Sequence, residues 1–257
     1  MANYKILVKK HYRKEAKEKQ LSLSCTMADL NTRRLEMENI ISHLKDGERC
    51  LEVGCGNGVA SIVISKKKKI DLTCIDFFPE MIVLAKKQPV KGIKGKIRFE
   101  RQDILEFKTK NYFDTVFTER CVINLLKWSE QKKALKNMAA ALKKGGKLIL
   151  LEAFSDGLGE LNRARQEVGL EKIKPAYHNL HLDKKSVVGY LAEEGLEFIA
   201  ENNFLSSYYF GSRVIYPAIA KANNKEIKYN SSFVNFFSFL PPCGNYSHIK
   251  TLVFKKI

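Results

Sequence analysis

From Cys50 to Gly58 the chain reads Cys-Leu-Glu-Val-Gly-Cys-Gly-Asn-Gly, an apolar strand-like run ending in three glycines at alternate positions. Gly54, Gly56 and Gly58 carry no side chain, so the backbone there can turn sharply and lie directly against a ligand. The apolar residues that follow begin a helix, whose first N–H groups would point back at the same place. Strand, tight turn and helix in that order constrain the fold more than any other stretch of the sequence. They call for an α/β architecture with a ligand at the carboxyl end of the first strand.

The flanking sequence keeps the alternation. Arg49 to Val53 reads as a strand, Gly58 to Ser65 as the start of a helix, Asp71 to Ile75 as a β-branched strand and Pro79 to Lys87 as a helix with proline in its first turn. Lys96 to Arg101 and Phe113 to Phe117 are the third and fourth strands. A long helix is expected over Ser129 to Leu142, capped by Ser129 and closed by Gly145-Gly146, and then a fifth strand over Lys147 to Glu152. Strands and helices at this spacing build a parallel sheet covered on both faces. Before it, Tyr4 to Leu23 is charged and helix-compatible. Met27 to Leu44 reads as an amphipathic helix with Leu30, Leu35, Ile40, Ile41 and Leu44 on one face. After it come a helix at Asp183 to Glu194, a strand at Leu196 to Asn202 and a last strand at His248 to Lys255. The intervening stretch near 203–246 is rich in Tyr and Phe and is expected to form helical cover over the sheet. The expected organisation is one domain over 1–257: a helical cap at 1–45, a ligand-binding core at 46–155 and a substrate-side half at 156–257.

The spacing of the glycine turn excludes one common ligand class. A dinucleotide-binding turn, G-x-G-x-x-G counted from Gly54, needs glycine at position 59, and Val59 stands there. The pattern Glu-x-Gly-x-Gly-x-Gly, from Glu52 to Gly58 with Cys55 inside it, instead resembles motif I of the class I S-adenosylmethionine-dependent methyltransferases. Four further elements resemble that family in order. Asp76 ends the second strand, where the family's acid takes the ribose hydroxyls, and Phe77 follows as the apolar cover of the adenine. Asp103-Ile104 resembles the adenine clamp, Phe113 to Phe117 the fourth-strand motif, and Gly145-Gly146-Lys147-Leu148-Ile149 the turn before strand five. The resemblance covers about residues 30 to 155. It implies a Rossmann-like, mostly parallel seven-stranded sheet with an antiparallel last strand, an N-terminal helical cap and insertions after strands five and six. It also implies S-adenosyl-L-methionine as the cofactor and methyl transfer as the activity.

Catalytic groups are sought around that cleft. Glu119 and Arg120 follow strand four in an apolar context, which points either to a role at the methionine end of the cofactor or to a structural ion pair. Arg33 is a further candidate for the cofactor carboxylate. His178 and His181, after strand five, are the candidate bases for a hydroxyl acceptor. His11 and Tyr12 are candidates for a lid. Pro241-Pro242-Cys243 lies just before the last strand, far from the place after strand four where a cytosine methyltransferase carries its nucleophile, and reads as a turn.

The remaining composition mostly excludes. Six cysteines in no C-x-x-C pair argue against zinc, and no metal is expected. No run of 18 apolar residues suggests a membrane span, and Met1 to Lys10 lacks the apolar core of a secretory signal, so the expected location is the cytoplasm. The net charge of +17 raises a nucleic-acid partner, yet 35 of the 45 basic residues are lysine, which suits solvated surfaces. The leading expectation is therefore methyl transfer to a small molecule, at oxygen, in an aromatic-walled pocket. The alternatives are an RNA methyltransferase, for which a basic groove should lead to the cofactor, and a non-catalytic S-adenosylmethionine-binding protein.

Overall fold

The computed structural model describes residues 3–228 and 230–257. Its centre is a seven-stranded sheet: β1 (Arg49–Val53), β2 (Asp71–Asp76), β3 (Lys96–Arg101), β4 (Phe113–Glu119), β5 (Leu142–Ala153), β6 (Leu196–Asn202) and β7 (Ile249–Lys256). The order is β3-β2-β1-β4-β5-β7-β6. The first five strands pair in parallel, and β7 runs antiparallel to both β5 and β6. Order reverses between β1 and β4, so a crevice opens at the carboxyl ends of those two strands, where the glycine turn lies. Leu51, Leu72, Val116, Ile149 and Leu150 are fully buried, as expected of strands covered on both faces.

Helices α1 (Asn3–Lys19) and α2 (Leu30–His43) precede the sheet. Helices α3 (Val59–Lys67), α4 (Pro79–Ala85), α5 (Trp128–Ala141), α6 (Ser155–Glu167) and α7 (Lys184–Glu193) accompany its crossovers. Between β6 and β7 the aromatic-rich stretch folds as α8 (Ser206–Phe210), a π-helical turn (Gly211–Ile215), α9 (Tyr216–Ala222) and α10 (Ser232–Phe237). The β6–β7 insertion is fixed to α2 by polar contacts. Asp29 caps α2 by accepting from the Thr32 N–H at 3.0 Å, and it also accepts from Tyr208 Oη at 2.8 Å and Arg213 Nη2 at 2.5 Å.

Three expectations about helices are corrected. Ser129 does not cap α5, because extended Lys127 precedes a helix that starts at Trp128, leaving Ser129 inside the first turn. Nor do Gly145-Gly146 close it. The helix stops at Ala141 because Leu142 is already extended and paired with Phe113 of β4, and the glycines form an irregularity before Lys147 rejoins the ladder. The expected face of α2 packs on the core at Leu35, Ile40, Ile41 and Leu44, but the buried side is wider than that face. Leu30 is exposed, while Thr32, Arg33, Glu36 and Asn39 are buried with Met37 and Ile40. A helix that turns a polar stripe inward must meet partners there.

Candidate cofactor and active site

The chain leaves β1 by folding back over the end of β2, where the N–H groups of Gly54 and Cys55 both donate to the Ile75 carbonyl, at 2.8 and 3.1 Å. Gly54 has φ +83°, and a Cβ on it would run into the Cys121 side chain. Gly56, at φ +53°, has nothing within 4 Å of where a Cβ would stand. One glycine lets two segments touch, and the other keeps the cleft clear.

Around this turn lie the acids that the motif singled out. Asp76 holds the turn, accepting from the Gly56 N–H at 2.9 Å and the Phe78 N–H at 2.8 Å, and burial pushes its carboxyl up to about 6 despite those two bonds. Glu52 is buried with Oε2 unpaired, and burial pushes it up to about 7. Asp103 accepts from the Leu105 N–H at 2.9 Å, which turns Ile104 into the cleft wall. Phe77 stands at the mouth, 39% exposed, with Lys9 Nζ 5.4 Å above its ring. Glu52, Gly54, Cys55, Gly56, Asp76, Phe77, Asp103 and Ile104 all line one cleft. Gly58 stands behind them as the left-handed N-cap of α3, packed so closely on Ala85 that a Cβ would stand 2.9 Å from the alanine methyl.

The inward polar stripe of α2 completes the wall. Arg33 Nη1 pairs with Glu119 Oε1, and its Nη2 donates to the Cys25 carbonyl at 2.6 Å and to Thr26 Oγ1 at 3.0 Å. Arg120 Nε lies 2.7 Å from Glu36 Oε1, and Arg120 Nη2 lies 3.7 Å from Glu119. Burial raises Glu36 to about 7 even beside Arg120. Arg33, Glu119 and Arg120 line the cleft and are ion-paired there, as the structural alternative expected. Arg120 adopts φ +52°, unusual for a side chain of its size and typical of strained functional sites. The loop it begins is held by Glu152, whose carboxylate accepts from the N–H groups of Cys121, Val122 and Ile123 at 3.0, 3.0 and 3.3 Å.

Helix α1 lies across the opening. Val8, Lys9 and Tyr12 line the cleft. Tyr12 Oη donates to Asn124 Oδ1 at 2.9 Å, and its ring stacks on Phe78 with centroids 5.1 Å apart. The turn after α1 is tied to the glycine loop, since Asn57 Nδ2 donates to the Gln20 and Ser22 carbonyls at 2.9 and 3.0 Å.

The two candidate histidines sit differently from Glu119, and neither lines the cleft. His178 stacks on His11 with centroids 3.9 Å apart, its ring 6.3 Å from that of Tyr12, at the outer side of the cleft wall. Burial, and then His11, lowers it to about 4. His181 stacks on His248 at 5.2 Å, beside Tyr209, and burial lowers both. Sequence reading missed Glu36, Glu152 and His248. Glu152 did carry a signal, as a lone acid ending the apolar run Leu148 to Leu151, and Glu36 another, as an acid on the buried side of a helix. His248, at the edge of a strand, offered none. Cys25, Cys50, Cys55 and Cys74 are free and buried, and Cys243 is exposed. Among the described residues no group of His, Cys, Asp and Glu is placed to hold a metal ion.

Comparison with known proteins bears on what the cleft holds. A family model described as a methyltransferase domain matches residues 50–146. An O-methyltransferase of Pyrenophora dematioidea is 25% identical over 132 residues, 50% of this chain and 48% of that protein. Phosphoethanolamine N-methyltransferase 3 of Arabidopsis thaliana is 28% identical over 111 residues, 42% of this chain and 22% of that protein. The chain thus spans about half the length of these curated relatives, or less. In fold it is similar to magnesium protoporphyrin IX methyltransferase from Synechocystis PCC 6803, solved with bound SAH. The TM-score is 0.57 at 14% identity, covering 96% of this chain and 94% of that one. The residues present fit the cofactor of such enzymes: the Asp76 carboxyl is fixed from behind by two N–H groups, the space at Gly56 is open, and Glu52 Oε2 has no partner. Over residues 50–146 the chain thus matches a methyltransferase domain, and its fold, with the sheet order β3-β2-β1-β4-β5-β7-β6, is similar to that of solved S-adenosylmethionine-dependent methyltransferases.

Proposed function

We propose that the chain transfers the methyl group of S-adenosylmethionine to a small-molecule acceptor, at an oxygen atom. The observation that carries this reading is the sign of the charge inside the cleft. Glu52, Asp76, Asp103, Glu119 and Glu130 line it against Lys9, Arg33 and Arg120, and two of those three cations are already ion-paired to carboxylates. A phosphate backbone needs unneutralised cations along its path. The basic groove that an RNA acceptor requires is therefore not what this cleft offers, although the chain as a whole carries +17. Aromatic and aliphatic groups, Tyr12, Phe77, Phe78 and Leu125, make the rest of a wall suited to a small, largely apolar molecule. The likeness to an O-methyltransferase points to oxygen, while that to an N-methyltransferase makes nitrogen the alternative atom.

In this reading Asp76 takes the ribose hydroxyls, Asp103 and Ile104 hold the adenine with Phe77 over it, and Gly54 to Gly58 with Cys55 lie along the cofactor. Arg33 and Glu119 act at the methionine end, Arg33 toward its carboxylate and Glu119 toward its ammonium. When bound, S-adenosylmethionine supplies an activated methyl group on a sulfonium, so the chain's own work is alignment and water exclusion. Helix α1, through Val8 and Tyr12, closes the cleft. A hydroxyl acceptor must also lose a proton. Glu119 is committed to Arg33, so we assign proton removal to His178, which burial keeps neutral at physiological pH and which stands beside Tyr12, with His181, stacked on His248, as the second candidate. Incubation with methyl-labelled cofactor and fractionated cell extract tests the whole reading. Label in small metabolites supports it, label in RNA overturns the acceptor, and tight cofactor binding without label in any fraction overturns the activity.

A further inference from the structure

Away from the cleft, the β6–β7 insertion leaves an apolar face in water. Phe233, Phe236 and Phe239 are 47, 60 and 76% exposed, and Ile219 and Leu240 are 46 and 39% exposed. The rings are continuous: Tyr216 lies 5.6 Å from Phe233, Phe233 lies 5.4 Å from Phe237, and Phe237 lies 5.8 Å from Phe236. Taking about 200 Å² for a fully exposed large apolar side chain, this face shows roughly 500 Å² of apolar surface. That is at the upper end of what a monomeric soluble protein leaves uncovered, and such patches mark contact sites.

The charge around it narrows the occupant. Between residues 216 and 240 the chain carries Lys221, Lys225 and Lys228 against the one acid Glu226, and the three lysines are exposed. The Arg34 guanidinium lies 5.4 Å over the Phe239 ring and is bonded to Glu38, so the free positive charge comes from the three lysines. Exposed aromatic side chains in a segment that also carries exposed lysines match the boundary of a lipid bilayer with anionic headgroups, where rings enter the headgroup layer and lysines meet phosphates. A second copy of this chain is the poorer match, because a two-fold contact would set the same lysines, and two chains of +17, against each other. A nucleic acid would engage the lysines and leave the phenylalanines in water. We propose that the aromatic face of the β6–β7 insertion docks on an anionic lipid surface. The contact is peripheral, since among the described residues no helix is long and apolar enough to cross a membrane. Helix α2 links this face to the cleft: Asn31 and Arg34 bond to Asn235 and Ser238 of the insertion, while Arg33 lines the cleft. Docking therefore holds the cleft within about a helix diameter, roughly 10 Å, of the surface.

Vesicle flotation at near-physiological salt tests this, with vesicles of pure phosphatidylcholine and of phosphatidylcholine with one quarter phosphatidylglycerol. The full chain is expected to float with the anionic vesicles at least tenfold more than with the neutral ones. The Phe236→Asp/Phe239→Asp variant and the Lys225→Glu/Lys228→Glu variant are each expected to lose at least tenfold, with melting curves like the wild type. Three results would overturn the proposal. The wild type stays with the unbound fraction; the phenylalanine variant floats as well as the wild type, which makes the binding a general effect of net charge; or sedimentation shows a dimer that the phenylalanine variant dissolves, which makes the face a self-contact.

Discussion

Replacing Asp76 by alanine separates what that carboxylate does for the cofactor from what it does for the fold. Each Asp76 oxygen accepts one backbone N–H, from Gly56 at 2.9 Å and Phe78 at 2.8 Å, so each keeps a lone pair for a ribose hydroxyl. A hydrogen bond to a charged acceptor contributes about 1.5–3 kcal/mol, and two that share one carboxylate contribute less than their sum. A loss of about 2–4 kcal/mol, or a Kd at least ~30-fold weaker, is expected for Asp76→Ala by titration calorimetry. Proton linkage gives a second signature. Burial raises the Asp76 carboxyl to about 6, above its unfolded value, so its contribution to folding is complete in acid and is lost as pH rises through about 6. Cofactor affinity runs the other way, because the acceptor must be ionised. Wild-type affinity should fall below pH 6, by up to tenfold per unit, while Asp76→Asn should lack this group's share of the fall. A Kd within threefold of wild type for a folded Asp76→Ala would refute the ribose assignment, and a flat wild-type Kd between pH 5 and 8 would refute the linkage.

Further perturbations separate the roles of neighbouring groups. Gly54→Ala is expected to cost at least ~3 kcal/mol in urea unfolding, from its positive φ and the collision with Cys121. Gly56→Ala should cost only about 1 kcal/mol, for φ alone, yet weaken the cofactor at least tenfold by filling the cleft; equal effects of the two would contradict the geometry. Arg33→Ala leaves Glu119 buried with only the more distant Arg120, 3.7 Å away, and should destabilise by about 3 kcal/mol, much of it recovered in Arg33→Met/Glu119→Leu. Strictly additive losses would show that the pair is not coupled. His178→Ala should lower kcat at least ~100-fold on a hydroxyl acceptor while leaving cofactor Kd unchanged, and a loss under threefold would remove it as the base.

Much of the sheet was legible because β1, β2 and β4 are buried on both faces and read as apolar runs bounded by turn residues, while the more exposed edge strands are marked by alternating apolar residues. Lys96–Arg101 and Leu196–Asn202 match in both bounds. The cofactor side of the cleft was legible for a related reason, since its contacts come from strand ends and one glycine turn, all local in sequence. What escaped is set by contacts distant in sequence. The buried polar stripe of α2 depends on Glu36 and Arg33 finding Arg120 and Glu119 more than 80 residues away, which no hydropathy pattern encodes, so apolar periodicity shows only part of the buried side. The end of α5 was misplaced because a tertiary pairing, Leu142 with Phe113, overrode the glycines as a stop signal. The histidines were placed by residue type alone, and type says nothing about which stacks on which.

The sign of the charge differs between the chain and its cleft, and the difference constrains the acceptor. A net +17 spread over the surface attracts anions to the molecule in general. Inside, five carboxylates face three cations, and burial raises Asp76 and Glu52 toward neutrality, as it does Glu36 in the adjoining wall even beside Arg120. An acceptor entering as an anion would give up its hydration and meet carboxylates, which the low dielectric of the cleft makes more repulsive than in water. A neutral hydroxyl meets no such barrier, and its proton leaves only as the methyl arrives, so negative charge need never build up beside Glu119. The same wall favours the cationic sulfonium over the neutral thioether product, so the cleft that draws the cofactor in also loosens its hold once the methyl group has gone.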